Sequence, residues 1–231
     1  MTLAADDIHL WLLVNDASDV CLLEQCRKLL TDDERRRERT FCFKKGQRQY
    51  VLTRALVRTV LSRYSEILPH EWLFNYSPQG RPEIANADSA ARELSFNVSH
   101  TDGLIVLGVA RCPALGVDVE HIHHRPGAVR LAEKYFSPDE KAALRALPAD
   151  VQPQRFAELW TLKESYVKAC GKGLSMPLVL PPEAASRWQL SLLRPTATHV
   201  VAVCAERLPG ARQKVVLQTW YDSHVANDAT L

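Results

Sequence analysis

The chain has 231 residues, 46% hydrophobic and 24% charged, enough to bury one large core or two small ones. Its formal net charge of +2 is too mild for a nucleic-acid binder, and its apolar stretch near the N-terminus is too short to span a membrane. The six cysteines form no CxxC pair and no secretion leader precedes them, so reduced thiols and a cytoplasmic location are expected.

Residues 8–14 read as a buried strand and 20–30 as a helix. Residues 31–40 carry both signs of charge but are rich in arginine. Residues 41–46 lead into a long helix over 47–64, in which Val51, Leu52, Ala55, Leu56, Val60 and Leu61 follow a helical period. Arg48, Arg54, Arg58 and Arg63 surround that stripe and read as a solvated face. Residues 77–82 are turn chemistry and 86–92 a loop of small residues. Residues 94–100 and 104–110 are strands that can pair as a hairpin. A third strand covers 115–120.

A short helix is expected over 128–135. Another opens at Ser137, with Pro138 in the first helical position and Glu140 closing a capping box. A central helix then runs from near Gln154 to Cys170 and is stopped by Gly171 and Gly173. Three strands follow at 188–193, 199–204 and 214–220. The apolar strands 104–110 and 199–205 resemble each other, one in each half of the chain. They suggest an α+β fold of two similar halves, joined near 110–113.

Two stretches carry chemistry. In Gly116-Val117-Asp118-Val119-Glu120, strand alternation puts both carboxylates on one face. That face is either solvated or relieved of its repulsion by a hard cation, and oxygen-only ligands completed by water and substrate phosphates describe Mg²⁺. On the central helix, Phe156, Trp160, Tyr166 and Val167 share an apolar stripe with Lys163 in its middle and Glu164 and Lys168 at its edge. A lysine so placed either snorkels to solvent or requires an anion.

Taken together, Phe96-Asn97-Val98-Ser99-His100, the GVDVE strand and the segment WTLKESYVKACGKGL at 160–174 resemble the 4′-phosphopantetheinyl transferases, in particular the larger monomeric type that activates surfactin synthetase. Thr53-Arg54-Ala55-Leu56-Val57-Arg58 and Gly80-Arg81-Pro82 extend the likeness over nearly the whole chain. The resemblance implies two halves related by a pseudo-twofold axis, each a small, mainly antiparallel sheet packed on a long helix. Residues 1–112 would form the first half, 113–231 the second, and the active site would lie between them. It implies transfer of 4′-phosphopantetheine from coenzyme A to a serine of an acyl or peptidyl carrier protein, with release of 3′,5′-ADP. Asp118, Glu120 and Glu164 would hold Mg²⁺, for which Mn²⁺ could substitute. Arg54, Arg81, Ser99, His100, Lys163 and Lys168 would bind coenzyme A. Glu164, Lys168 and Asp118 would be the catalytic groups, with Glu164, directly or through a water, activating the carrier serine. Two other readings compete. One is a module that binds coenzyme A or a carrier without turnover. The other is a metallohydrolase built on Glu120, His121, His123 and His124.

Overall fold

The structure of the protein, a computed structural model, describes residues 1–15, 20–122, 128–173, 181, 184–210 and 212–220, apart from the side chain at position 129. Strand β1 (Asp7–Val14) is apolar on both faces because it lies inside a sheet covered on both sides. Its neighbours are β5 (Leu104–Ala110), antiparallel, and β9 (Lys214–Thr219), parallel. Strand β4 (Ser95–Thr101) pairs with β5 as the expected hairpin and is an edge of the sheet, whose order is β4-β5-β1-β9. On one face of this sheet Trp11, Phe96, Ile105 and Leu107 pack against α1 (Val20–Lys28) and α3 (Lys44–Leu61). On the other face Ile8, Leu10, Leu104 and Val106 meet Leu115, Val117 and Val203 of a second sheet.

That second sheet has the order β6-β8-β7, with β6 (Leu115–His121), β7 (Trp188–Thr196) and β8 (His199–Glu206) all antiparallel. Its outer face is covered by α7 (Gln152–Cys170), whose Tyr166 packs edge-on to Trp188. The layers are therefore helix, sheet, sheet, helix, and each half is a small sheet under one long helix, as expected. The last strand departs from the expected division. β9 comes from the tail but joins the first sheet, because alternating apolarity identifies a strand without naming the sheet edge it will join.

Local signals explain the connecting elements. Helix α6 (Pro138–Arg145), following α5 (Ala128–Tyr135), carries the expected Ser137–Glu140 capping box. Helix α7 ends at Gly171 with φ of 68°, a conformation suited to glycine. Two short helices were not anticipated, one of them within the expected loop 86–92. Thr31 and Glu34 form a second capping box that starts α2 (Asp32–Glu38), and Asp88 caps the single turn α4 (Ser89–Arg92). Strands β2 (Phe74–Tyr76) and β3 (Pro82–Ile84) make a small hairpin that presents Arg81 at its turn. A further turn, α8 (Ala184–Arg187), leads into β7.

The reading of the α3 arginines as a solvated face is overturned. Arg48, Arg54 and Arg58 are all buried. Arg54 Nε donates to Glu34 Oε1 at 2.6 Å, and Arg58 reaches both Glu34 oxygens at 3.0 Å. Arg58 also donates to the carbonyls of Pro69 and Trp72. Burial alone would raise the Glu34 pKa, but Arg58 and Arg54 outweigh it and hold the carboxyl below its ordinary value. Among the described residues, no helix is long and apolar enough to cross a membrane.

Candidate active site

The alternation of β6 decides where its carboxylates point. Val117 and Val119 face the first sheet, so Asp118 and Glu120 face the opposite way, towards α7. Gly116 allows the helix to come close: a Cβ at this position would fall 3.0 Å from Ala169 Cα and nearer still to the Ser165 carbonyl and the Ala169 amide. Glu164 and Lys168, one turn apart on α7, then overhang the strand. A cavity of about 290 Å³ is bounded by Ser99, His100, Asp118, Glu120, Glu164 and Lys168. A second lobe of about 610 Å³ shares Glu164 and Lys168 with it and extends to Arg81, Asn97 and Gly171.

Asp118 is 5% exposed. Its Oδ1 accepts from Ser99 Oγ at 3.0 Å and from Lys168 Nζ at 2.7 Å, while Lys168 also donates to Ser99 Oγ at 2.8 Å. The other oxygen, Oδ2, is buried with no hydrogen-bond partner. An orphaned buried carboxylate oxygen is costly unless something binds it. Here it belongs to a set of oxygen donors that suits a hard cation. Among the described residues no three of His, Cys, Asp and Glu already converge as a metal cage. Asp118, Glu120 and Glu164 share the cavity walls but are not gathered around one point. A cation there would draw its remaining ligands from water and substrate phosphate, as Mg²⁺ commonly does.

The remaining expected ligands divide. Ser99 and Lys168 lie in the cavity, and His100 is exposed at its rim. Arg81 lines the second lobe, where its two terminal nitrogens donate to the carbonyls of Lys168 at 2.8 Å and Leu115 at 3.1 Å. It ties the turn to the end of α7 and the start of β6, and burial lowers its pKa. Lys163 and Arg54 are not among the residues lining either lobe. Lys163 is 2% exposed and pairs with Glu140 Oε1 at 2.9 Å, with its ammonium over the Phe136 ring. The anion that this lysine requires is thus a carboxylate of the same chain. Burial would raise the Glu140 pKa, but the Ser137 N–H and Lys163 together bring it below the ordinary value. Arg54 is spent on Glu34, as described, and lies over the Phe74 ring.

The histidine run contributes no metal site among the described residues. His121 stands edge-on to His199, whose Nε2 meets the Asp102 carbonyl at 2.8 Å and whose Nδ1 meets Thr196 Oγ1 at 2.8 Å. His123 and His124 lie outside the described residues. Sequence reasoning passed over two contributors to the site, Gly116 and Asn97. A glycine inside a strand pattern is a signal of close backbone approach and could have pointed to Gly116.

Comparison with known proteins shows the family. Residues 114–206 match the family described as "4'-phosphopantetheinyl transferase superfamily". Residues 19–112 match "4'-phosphopantetheinyl transferase, N-terminal". The chain is similar to the 4'-phosphopantetheinyl transferase HetI of Nostoc sp., 30% identical over 213 residues that cover 88% of this chain and 89% of HetI. It is also similar to the 4'-phosphopantetheinyl transferase Sfp of Bacillus subtilis, 31% identical over 155 residues that cover 67% of this chain and 66% of Sfp.

Proposed function

We infer, since the chain belongs to the 4′-phosphopantetheinyl transferase superfamily, that it transfers the 4′-phosphopantetheine group of coenzyme A to a serine of an apo acyl or peptidyl carrier protein. In this reaction the serine oxygen forms a bond to the β-phosphorus. The bridging P–O bond of the pyrophosphate breaks, and 3′,5′-ADP leaves with the electron pair. The serine proton passes to a base, for which Glu164 is our candidate. Phosphoryl-type transfer asks little covalent work of a protein and much positioning and charge neutralisation. The division of labour is read accordingly. Residues 1–112 and 113–231 are taken as two halves, with β9 returned to the first, and the reacting groups lie at their seam.

The observation that carries the reading is the Asp118 carboxylate, with one oxygen held by Ser99 and Lys168 and the other buried and unpartnered. Asp118, Glu120 and Glu164 would hold Mg²⁺, with Mn²⁺ as a substitute. Bound there, the metal supplies charge neutralisation for the pyrophosphate and the leaving group. Lys168 would exchange its contact with Asp118 for a phosphate oxygen. Ser99, His100 and Arg81 offer further donors along the two lobes, with Arg81 limited by its two backbone contacts. Neither the binding-module reading nor the hydrolase reading gains support. The carboxylates and Lys168 lie together in one cavity.

The test is Asp118→Asn, which keeps an oxygen for Ser99 and removes the charge. It should release no 3′,5′-ADP from coenzyme A in the presence of carrier and Mg²⁺, while its thermal midpoint stays within a few degrees of wild type. A variant that still releases 3′,5′-ADP at the wild-type rate would overturn the assignment of Asp118.

A further inference from the structure

The two strands that bring the site together, β4 and β6, belong to different sheets and share no backbone ladder. β4 is the edge of the first sheet and β6 the edge of the second, so their relative position must come from side chains. One such link is made by Asn97, which is 7% exposed. Its Oδ1 accepts the backbone N–H of Val117 at 2.8 Å in a buried setting. Val117 immediately precedes Asp118. Asn97 and Ser99 share one face of β4, because side chains two apart on a strand point the same way. So one residue holds the Val117 backbone N–H, one residue before Asp118, and the next on that face holds the Asp118 carboxylate, at 3.0 Å.

Gly108 stands opposite Asn97 on β5. A Cβ there would fall 2.6 Å from Val117 Cγ2, so this glycine makes room for Val117 to approach the pin. An edge-strand N–H buried without an acceptor is costly, and the side-chain oxygen of Asn97 reaches it from the neighbouring sheet.

We propose that Asn97 is a positioning residue for the transfer reaction: by accepting the Val117 N–H across the seam of the two sheets, it sets where Asp118 stands relative to Ser99 and Lys168. This rests on the functional reading above. The acceptor atom is what matters, and the Asn97 amide group need not touch substrate.

Two substitutions separate this role from general stability. Asn97→Ala removes the acceptor, and Asn97→Asp keeps an oxygen opposite the Val117 N–H. Three readouts are taken at a temperature where the proteins are folded: hydrogen exchange of the Val117 amide, Mn²⁺ affinity by electron paramagnetic resonance with the metal alone, and kcat with KM for coenzyme A. Asn97→Ala should expose the Val117 amide to faster exchange and weaken Mn²⁺ binding about 10- to 100-fold, the usual range for groups that orient a metal ligand. It should lower kcat by a similar factor, with KM for coenzyme A little changed. Asn97→Asp should restore Val117 protection and most of kcat. Wild-type Mn²⁺ affinity and kcat in Asn97→Ala would overturn the proposal. So would an Asn97→Asp variant that folds yet is as impaired as a protein lacking the acceptor; this variant decides the matter even where Asn97→Ala does not fold. Exchange and Mn²⁺ binding need no carrier protein. If wild type transfers nothing to any carrier, the functional reading falls, while these two measurements still judge Asn97.

Discussion

Gly116→Ala should separate the two elements that carry the reacting groups. The added Cβ would lie 3.0 Å from Ala169 Cα, where ordinary contact begins at 3.4 Å, and closer still to the Ser165 carbonyl oxygen and the Ala169 nitrogen. All three are backbone atoms of α7, so no rotamer change relieves the clash. The helix must retreat from β6 by on the order of 1 Å, and a displacement of that size at a catalytic site costs about 100-fold. Overpacking of this kind destabilises by roughly 1–3 kcal/mol. For a chain of this length that lowers the thermal midpoint by about 2–12 °C. The Lys168–Asp118 contact, now 2.7 Å, would lengthen with the retreat. Activity is read as kcat/KM for an apo carrier at saturating coenzyme A, and stability as the thermal midpoint. A Gly116→Ala enzyme with wild-type kcat/KM and an unchanged midpoint would refute the close packing of α7 on β6.

Three further outcomes follow from buried charges. Glu34→Ala leaves Arg54 and Arg58 buried without their carboxylate and should cost about 3–5 kcal/mol in chemical denaturation; a loss under 1 kcal/mol would mean that the triad is solvated. Lys163→Met should leave the dissociation constant for coenzyme A within about threefold of wild type, because Lys163 spends its charge on Glu140. A tenfold weakening measured by calorimetry would restore Lys163 as a phosphate ligand. His9 has its pKa lowered from the ordinary 6.5 by burial, against a smaller opposing pull from Asp7. Its Nδ1 lies 2.8 Å from Tyr64 Oη, which also accepts from Trp11 Nε1. A histidine pKa depressed in the folded state contributes stability present above about 6.5 and lost as the pH falls towards the folded value. Wild type should therefore lose stability between pH 7 and pH 5.5 relative to His9→Gln, and identical slopes in the two proteins would contradict the buried neutral ring.

Much of the framework was legible because its causes are local. The Ser137–Glu140 cap, the glycine stop at Gly171 and the alternation of β4, β5 and β6 are each written within a few residues. The same alternation placed Asp118 and Glu120 on one face. What could not be read depends on partners far along the chain. Arg54 meets Glu34 from 20 residues away. Lys163 was expected either to snorkel to solvent or to meet an anion, and nothing near it in the sequence identifies Glu140 as its partner. Lys163 and Arg54, expected to meet phosphates, are paired here with carboxylates for the same physical reason: a cation inside a core takes the nearest available carboxylate. The strand β9 was visible as a strand, but its pairing with β1 is a long-range choice. Gly116 and Asn97 were overlooked because neither residue type advertises chemistry, although one lets α7 approach β6 and the other links β4 to β6.

The central claim is that Asp118, Glu120, Glu164 and Lys168 serve transfer of phosphopantetheine to a carrier serine, and the mass of the intact carrier tests it most directly. Incubated with coenzyme A, Mg²⁺ and this protein, an apo carrier should gain the mass of one phosphopantetheinyl group. A carrier with its serine replaced by alanine should not. EDTA should stop the gain, and excess Mg²⁺ or Mn²⁺ should restore it, as oxygen ligands allow. Acyl and peptidyl carriers that all keep their apo mass, with a folded protein that still binds coenzyme A, would contradict the account and leave a binding module in its place.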